Sequence, residues 1–321
     1  MTRYAVVGAG SLGLLLAAGL LRSGCDAEVW TRSEAQARLL SAEGIALGDA
    51  AGSAFVAAGP VRATALAAVK PAMGSDTVAL LTVKQTAIDD ALLAALAAAV
   101  PPGGAVAAFC NGIGHFERLA GALPGRALIA AVTTEGALRT DSRTVLHTGS
   151  GHTFLGAAPL FDRLPPRDAA PPDADCLEAL KSRLVQAGFE VSLSNRMSER
   201  MLRKLLVNAV INPLTSLFRV RNGELASGSA RIAIMQALFD ETVGILRPYG
   251  LATEEPLWEE LLDVCRRTAM NQSSMLQDVL AGRKTEIEAL NGAVCRLAER
   301  MDKQAPLNET IASLIRALEG A

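Results

Sequence analysis

Hydrophobic and polar positions repeat with helical spacing most clearly over residues 203–217, where the sequence reads RKLLVNAVINPLTSL. Leucine, valine, alanine and isoleucine fill most of the circumference, which predicts a helix with most of its surface buried. Lys204, Asn208 and Asn212 interrupt this apolar surface at positions i, i+4 and i+8. Because successive residues turn by about 100°, the three side chains form one polar stripe along the helix.

Two interpretations of the stripe are open. In the first, Lys204 lies at a helix start and reaches water, while both asparagines bond to neighbouring helices. In the second, the stripe is the wall of a pocket, and the register of all three residues favours this interpretation, because burying such groups without partners is unfavourable. Pro213 lacks the N–H that would bond the carbonyl of Ala209, which predicts a kink or a helix end there.

The amino-terminal pattern predicts a strand, a glycine turn, a helix and a second strand. The apolar run 4–7 leads into GAGSLG at residues 8–13, a helical run follows over residues 14–21, and residues 28–31 form the next strand. This order is the context in which a GxGxxG motif indicates a dinucleotide-binding turn. The helix N-terminus would hold the phosphates. A purely structural glycine turn is the alternative.

The residue that ends the second strand indicates which dinucleotide binds. An acidic residue there suits the ribose 2′-hydroxyl of NAD, whereas an arginine suits a 2′-phosphate. The sequence has Arg32 at this position, which favours NADPH. A solvated surface arginine is the alternative.

Further strand patterns predict an α/β fold. Apolar runs over residues 77–83 and 105–109 flank an alanine-rich crossover helix at 87–100. Lys84 and Asn111 follow the two runs, at the carboxyl ends where open α/β sheets bind ligands. Later patterns predict strands at 127–133, 144–155 and 190–194, a helix at 177–188 and a proline-rich surface loop or lid at 159–175. We expect the glycines at positions 149 and 151 to shape a hairpin rather than to cradle phosphate.

The second half of the chain shows only helical patterns, over residues 230–249, 257–269 and 285–300 in addition to the stripe helix. The sequence therefore predicts an α/β Rossmann-like dinucleotide-binding domain at residues 1–195, followed by an all-α substrate domain at residues 196–321.

Composition narrows the class of protein. Half of the 321 residues are hydrophobic, which suits two domains with substantial cores, and the formal charge of −2 argues against nucleic acid or anionic membranes as partners. Five cysteines without CxxC spacing predict reduced thiols in a cytoplasmic protein, and the three histidines show no metal-site spacing. The apolar run after Arg3 imitates a signal peptide, but Arg22 and the glycine motif argue against export.

A second candidate site lies at residues 271–292. Asn271, Ser273 and Ser274 offer donors for a substrate carboxylate. Glu286 follows Thr285 in the first turn of a predicted helix, where capping is the alternative to a binding role.

In order, these motifs resemble the ketopantoate reductase family over the full length. The motifs that carry the resemblance are GAGSLG, Arg32, Val83-Lys84, Asn111-Gly112, TTEGA ending at Ala137, HTGSGHT from His147, RKLLVNAVINPLTSL, NGEL from Asn222, SSMLQD and TEIEALNG. The resemblance implies NADPH-dependent reduction of ketopantoate to (R)-pantoate, on the route to pantothenate and coenzyme A.

The resemblance also implies residue roles. Lys204 would be the proton donor, and an ammonium there could stabilise the charge that develops on the carbonyl oxygen. The substrate would be held by Asn111, Asn208, Asn212, Asn222 and Ser274, with Asn271 added from its donor chemistry. NADPH would be bound by Gly8, Ala9, Gly10, Ser11, Leu12, Gly13, Arg32, Lys84, Asn111, Ala137 and Glu286.

Two positions depart from the family pattern. Cys110 stands where glutamine or proline is common, and Leu202 stands where tryptophan is frequent. Either could reshape the pocket, so a reductase of another small 2-oxo acid is one alternative function. A non-catalytic NADPH sensor is another, although a sensor has no need of the polar stripe. A homodimer is an open alternative for the assembly.

Overall fold

A computed structural model describes residues 2–49, 54–70, 77–169, 172–252, 254 and 256–319. The chain divides into two compact units. The first consists of Met1–Cys110, His115–Pro159 and Asp168–Met197, and the second of Asn111–Gly114, Leu160–Arg167 and Ser198–Ala321. The domain limits at residues 195 and 196 stay a prediction.

The described strands, in chain order, are β1 (Arg3–Val7), β2 (Ala27–Thr31), β3 (Ile45–Gly48), β4 (Ala54–Ala58), β5 (Arg62–Ala65), β6 (Thr77–Leu81), β7 (Ala105–Ala108), β8 (Ala127–Thr133), β9 (Gly136–Arg139), β10 (Thr144–Gly149), β11 (His152–Ala157), β12 (Pro159–Leu160), β13 (Arg167–Asp168) and β14 (Glu190–Leu193). The described helices are α1 (Ser11–Arg22), α2 (Glu34–Glu43), α3 (Asp90–Ala99), α4 (His115–Ala122), α5 (Ala174–Gln186), α6 (Met197–Phe218), α7 (Asn222–Leu225), α8 (Ser229–Leu246), α9 (Leu257–Arg267), α10 (Ser274–Leu280), α11 (Asn291–Glu299) and α12 (Pro306–Glu319).

The first unit is built around an eight-stranded sheet in the order β14-β11-β8-β7-β6-β1-β2-β5. All neighbouring strands are parallel except β8 and β11. The chain passes from β1 to β2 on one side and places β6 on the other, so the strand order reverses beside β1. Open sheets bind ligands at the carboxyl ends of strands at such a reversal.

Helix α1 packs along this sheet with an almost fully buried surface. Its residues Leu14, Leu16 and Leu20 are buried with Val29 and Leu80 in the core of the first unit. A helix that is apolar around most of its circumference needs such a position to be stable. The packing therefore fixes the N-terminus of α1 at the carboxyl end of β1.

A smaller sheet in the order β4-β3-β10-β9 contacts α1. The prediction of a hairpin around Gly149 and Gly151 is wrong, because β10 and β11 belong to different sheets. A Cβ on Gly151 would lie 2.3 Å from the carbonyl carbon of Thr134, so this glycine permits a close crossing of two chain segments.

The proline-rich segment 159–175 is only partly a surface loop. Leu160 and Phe161 are buried, whereas Asp162 to Pro165 are exposed. The prediction that this segment lies outside the core is therefore wrong for its first residues, whose large apolar side chains bury favourably. Pro171, which was predicted to belong to the same loop, lies outside the described residues.

The second unit is helical, and its described residues after Ser198 form no strand. Helix α6 continues through Pro213 to Phe218, so the predicted helix end at this proline is wrong. The helix predicted for residues 285–300 is also interrupted. It consists of a 3-10 turn at Ile287–Ala289 and of α11, which are separated by Leu290, whose φ of −107° and ψ of −96° are not helical. The carbonyl of Ala289 accepts a hydrogen bond from the N–H of Ile113.

These features confirm the predicted fold class, an α/β Rossmann-like part followed by an all-α part.

Candidate cofactor and substrate sites

The glycine turn between β1 and α1 is closed by the threonine that directly follows β6. The hydroxyl of Thr82 lies 2.8 Å from the carbonyl oxygen of Gly8, to which it donates a hydrogen bond. Gly8 has a φ of +106°, and a Cβ on Gly13 would lie only 1.8 Å from that same carbonyl oxygen. Both glycines are therefore required by the turn itself.

Gly10 differs from the other two glycines of the motif. A Cβ at this position would meet no described atom within 4 Å. Its φ of −82° is also open to any residue, so neither backbone conformation nor packing demands a glycine here. The open space lies at the N-terminus of α1, where free N–H groups and the helix dipole favour a phosphate. This cradle fits the diphosphate of a dinucleotide.

The turn is held on its outer side by two residues that the sequence patterns did not reveal. Gln36 Nε2 and Arg139 Nη1 each donate to the carbonyl oxygen of Ala9, at 3.1 Å. The backbone N–H of Arg139 also donates to the hydroxyl of Ser11 at 3.1 Å. Because these partners come from α2 and β9, spacing within the GAGSLG motif carries no signal of them.

Arg32 is exposed immediately after β2, beside the N-terminus of α2. Ser33 caps this helix by accepting the N–H of Gln36. The acidic residue of β2, Glu28, is buried and bonds to Arg3 and to the indole N–H of Trp30. No acidic side chain therefore ends β2 where the ribose of NAD is bound in related folds.

The other candidates for cofactor binding in the first unit lie on two further elements. Lys84 is half-buried three residues beyond β6, as its position at a carboxyl end requires. Ala137 lies on β9 opposite His147 of β10. Glu135, the residue just before β9, has an almost fully buried carboxylate that lies 2.7 Å from the imidazole of His147. This contact connects the residue before β9 to β10, next to Ala137.

In the second unit, the polar stripe of α6 is only partly accessible, because Asn212 is buried with an exposed fraction of 9%. Lys204 and Asn208 are half-buried, whereas Leu205, Leu206 and other apolar neighbours are buried. The side-chain amides of Asn208 and Asn212 make no hydrogen bond within the described part of the chain. Asparagines that bonded to neighbouring helices, as the first interpretation requires, would show such partners.

The Asn111-Gly112 turn packs against the segment that carries Glu286. Asn111 Nδ2 donates to Glu286 Oε2 at 3.2 Å. A Cβ on Gly112, whose φ is +74°, would lie 2.1 Å from the carbonyl oxygen of Ala289. The structure thus brings together two residues that are 175 positions apart in the sequence.

The capping alternative holds for Thr285 and not for Glu286. The Thr285 hydroxyl accepts the N–H of Ile287 at 3.2 Å, whereas the Glu286 side chain makes no capping hydrogen bond. Glu286 is nevertheless buried, with an exposed fraction of 9%. The hydrogen bond from Asn111 offsets part of the cost of burying this carboxylate.

Asn222 and Asn271 are neighbours. The backbone N–H of Asn222 donates to the carbonyl oxygen of Asn271 at 3.0 Å, and Asn222 Nδ2 donates to the hydroxyl of Thr268 at 2.9 Å. Asn222 Oδ1 is buried and has no partner among the described residues. Asn271 itself is exposed.

The two serines that follow differ in what they can bind. Ser273 caps α10 by accepting the N–H of Leu276, and its hydroxyl also accepts from Thr215 of α6 at 2.8 Å. Ser273 is therefore occupied, whereas Ser274 is exposed as the first residue of α10. The Thr215–Ser273 contact fixes α10, and with it Ser274, relative to α6.

The two departures from the family pattern also differ. Leu202 is fully buried, so its substitution for tryptophan changes the packing of α6. Cys110 is half-buried, and its thiol donates to the carbonyl oxygen of Val83 at 3.2 Å.

Four of the five cysteines, Cys25, Cys176, Cys265 and Cys295, do not have the lowered pKa of a reactive thiol, because burial raises it. All five are free thiols, and burial raises the pKa of Cys265 and of Cys295 to about 11. Catalytic thiols have lowered pKa values, since the thiolate is the reacting form.

Within the described ranges, no group of three histidine, cysteine, aspartate or glutamate side chains could hold a metal ion. None of the described helices is both long and apolar enough to span a bilayer.

Comparisons with known proteins agree with these geometries. The family model "Ketopantoate reductase PanE/ApbA" matches residues 4–159, and "Ketopantoate reductase PanE/ApbA C terminal" matches residues 196–319. The chain belongs to the ketopantoate reductase family. Membership in this family implies a nicotinamide dinucleotide cofactor and a small 2-oxo acid substrate.

Individual relatives support the assignment to this family. A 2-dehydropantoate 2-reductase of Bacillus subtilis (strain 168) is 36% identical over 209 residues, a match that covers 65% of each chain. A ketopantoate reductase structure from Ralstonia eutropha JMP134 superimposes with a TM-score of 0.84, at 21% identity and 99% coverage of both chains. A D-mandelate dehydrogenase bound to NADH and anilino(oxo)acetate has a TM-score of 0.82, at 19% identity and 99% coverage of both chains. The two structural likenesses concern the fold alone.

Proposed function

We propose that the protein is a 2-dehydropantoate 2-reductase, which reduces ketopantoate to (R)-pantoate with NADPH for the synthesis of pantothenate and coenzyme A. The observation that carries the proposal is the polar stripe on α6, in which half-buried Lys204 and Asn208 stand in register with buried Asn212, and both asparagine amides lack partners in the described chain. Neither folding nor dinucleotide binding alone requires such a stripe. A reductase requires it, since the ketone must be oriented and its oxygen must receive a proton.

Each residue of the stripe has a distinct role in this mechanism. The dinucleotide supplies the hydride when it is bound. The ammonium of Lys204 stabilises the negative charge that develops on the carbonyl oxygen and donates its proton there. Asn208 and Asn212 orient the substrate by hydrogen bonds without adding charge. Substrate binding is completed by Asn111, Asn222, Asn271 and Ser274, of which Ser274 is exposed as the carboxylate requires.

The cofactor is NADPH in this proposal. Gly10 leaves room for the diphosphate at the N-terminus of α1, and Arg32 offers an exposed guanidinium for the 2′-phosphate. The remaining contacts come from the backbone of the turn at Gly8, Ala9, Ser11, Leu12 and Gly13, from Lys84 and Ala137, and from Asn111 and Glu286. Residues 1–195 form the cofactor domain and residues 196–321 the catalytic and substrate domain.

A substrate screen tests the proposal. Initial rates of NADPH oxidation are measured with ketopantoate and with a panel of 2-oxo acids that differ in size and in the presence of a hydroxyl group. We expect the largest kcat/KM with ketopantoate. Since a single pocket contact changes selectivity by about 10–200-fold, a preference of that size is decisive. A clear preference for another 2-oxo acid would assign a different substrate, and NADPH binding without reduction of any of them would indicate a sensor.

A further inference from the structure

Helix α6 contains a carbonyl group that its own helix cannot satisfy. Proline at position 213 has no N–H, so the carbonyl of Ala209 loses its helical partner. Asn291 supplies the missing donor from α11, with its Nδ2 at 2.9 Å from the Ala209 oxygen. Asn291 is fully buried, as the first residue of α11.

A chain of buried polar groups holds the Asn291 side chain in one orientation. Its Nδ2 also donates to Asn308 Oδ1 at 2.9 Å. The Nδ2 of Asn308 donates in turn to Glu241 Oε1 at 2.9 Å and to the hydroxyl of Thr242 at 3.2 Å. Glu241 also accepts the backbone N–H groups of Leu307 and Asn308 at the start of α12.

Rotation of the Asn291 amide by half a turn would be unfavourable. It would point Oδ1 at two oxygen atoms, the Ala209 carbonyl and Asn308 Oδ1, and both hydrogen bonds would be lost. In the orientation described, Oδ1 is buried without a partner among the described residues. Asn291 therefore keeps its hydrogen bond to Ala209 although its own Oδ1 is left without a partner. An apolar residue at this position would pack α6 against α11 without leaving a buried acceptor unsatisfied.

The position of this contact connects it to the substrate stripe. Asn208 directly precedes Ala209, and Asn212 directly precedes Pro213. The backbone turn that Asn291 holds is therefore the one that sets the direction of both asparagine side chains. An alanine at position 213 would satisfy the carbonyl within the helix and would make the buried asparagine unnecessary.

We propose that Asn291 is a positioning residue for substrate binding, which acts through the Ala209 carbonyl that Pro213 leaves without a helical donor and so fixes the relative orientation of Asn208 and Asn212. The role rests on the proposed reduction of a 2-oxo acid by this chain. It does not extend to the cofactor, whose phosphate contacts lie on other elements.

A double-mutant cycle of Pro213→Ala and Asn291→Leu tests the proposal. For the wild type, both single variants and the double variant, the readouts are KM and kcat for ketopantoate, the dissociation constant of NADPH and the melting temperature. Thr242→Val, made in the wild-type and P213A backgrounds, is the matched control, because it removes a buried hydroxyl of the same network whose hydrogen bonds are to Leu238 and Asn308 and not to α6.

We expect N291L to raise KM for ketopantoate by about tenfold, because small displacements of orienting groups are amplified in the reaction. NADPH affinity should stay unchanged. P213A should raise KM while the melting temperature is kept or increased, since a proline inside a helix is unfavourable. In the P213A background, N291L should add less than about twofold to KM, whereas the loss of stability from leaving Asn308 Oδ1 without its donor should occur in both backgrounds. T242V should have the same effect in both backgrounds.

The test remains decisive if N291L does not fold. P213A keeps the Asn291 side chain and supplies the Ala209 carbonyl with a donor from its own helix, so its effect on KM can be measured separately. An unchanged KM in P213A, or an N291L effect of equal size in both backgrounds, would overturn the positioning role. These results would leave the proposed function intact if the wild type reduces ketopantoate. If the wild type reduces a different 2-oxo acid, the proposed substrate is wrong and the cycle is run with that acid. If it reduces none, both proposals fail.

Discussion

At the scale of single residues, the exposure of side chains along α6 separates those that can reach a ligand from those that pack. Leu202, Leu205 and Leu206 are buried, whereas Lys204 and Asn208 are half-buried on the same helix. Arg203 is engaged with the carboxylate of Glu260 on α9, at 3.0 Å from each oxygen. The neighbouring lysine is therefore carried on a helix that is fixed by an ion pair at the adjacent position.

The assignment of Lys204 as proton donor predicts the effect of its removal. Lys204→Ala should lower kcat about 10²–10⁴-fold, the usual contribution of a positioned acid. NADPH binding, measured by fluorescence titration, should stay near the wild-type value. Lys204→Arg is the matched control, because it keeps the charge and does not deliver a proton near neutral pH. It should remain slow, although charge stabilisation is retained. A folded K204A protein with wild-type turnover would contradict the assignment.

A second prediction at this scale concerns Arg32. Arg32→Ala should raise KM for NADPH and leave KM for NADH nearly unchanged, since a charge-assisted contact contributes about 1.5–3 kcal/mol. Arg38→Ala serves as the control, because Arg38 is equally exposed on α2 and pairs only weakly with Glu34, at 3.7 Å. Steady-state kinetics with both cofactors measure the difference. Equal losses with NADPH and NADH would refute a role in 2′-phosphate recognition.

At the scale of elements, the glycine turn combines two separate requirements in one motif. Gly8 and Gly13 are needed for the turn to close against Thr82, whereas a Cβ on Gly10 would meet no described atom within 4 Å. The helix α1 that follows is held by its buried leucines, independently of any ligand. Folding therefore requires glycine at positions 8 and 13, whereas the proposed cofactor binding requires it at position 10.

This division predicts opposite behaviour of two alanine variants. Gly13→Ala should lower the melting temperature strongly, because its Cβ would meet the Gly8 carbonyl at 1.8 Å, a distance that requires the backbone to move. Gly10→Ala should keep the melting temperature of the protein without ligand and weaken NADPH binding by about tenfold or more, since the methyl group occupies the diphosphate space. Thermal melts and binding titrations separate the two. Unchanged NADPH affinity in G10A would show that the cradle does not hold the diphosphate.

At the scale of the whole molecule, the stability of the fold also depends on a buried titratable group to which the proposed mechanism assigns no role. His115, the first residue of α4, is completely buried, and neither ring nitrogen has a hydrogen-bond partner among the described residues. Burial lowers its pKa to about 3. The native protein therefore keeps this histidine neutral at pH values where an unfolded chain would bind a proton.

The shift predicts how stability changes with pH. Above about pH 6.5, the ordinary pKa, both states are neutral and His115 contributes no pH dependence. As the pH falls from about 6.5 towards 3, only the unfolded chain takes up the proton, so stability falls by about 1.4 kcal/mol per pH unit from this group. His115→Leu should remove that part of the slope. Urea unfolding between pH 4.5 and about 7.5 measures it.

Phe116→Leu is the control for this experiment, because Phe116 is the buried neighbour, whose ring centre lies 4.2 Å from that of His115, and it does not titrate. This variant should lower stability by a similar amount at every pH. If H115L and the wild type lose stability in parallel as the pH falls, His115 does not cause the acid sensitivity.

Much of the architecture follows from local sequence. The strand–turn–helix–strand order at the amino terminus was predicted correctly, because period-two and period-3.6 patterns depend on residues close in the chain. The polar stripe of α6 was likewise predicted from spacing alone, and so was the unsatisfied carbonyl of Ala209, because proline lacks an N–H in any context. Other elements were missed, among them the short strands β3 and β4 and the helices α2 and α12.

The sequence by itself thus determined the fold class, the glycine turn and the residues offered to a ligand, since each of these depends on local periodicity and on the chemistry of single side chains. Only the tertiary structure decided which partners complete them. Asn291 reaches Ala209 across 82 positions, Thr82 reaches Gly8 across 74, and Arg139 reaches Ala9 across 130. No local pattern encodes such pairs, because a buried donor or acceptor takes whichever complementary group the packing of distant elements places within hydrogen-bond distance.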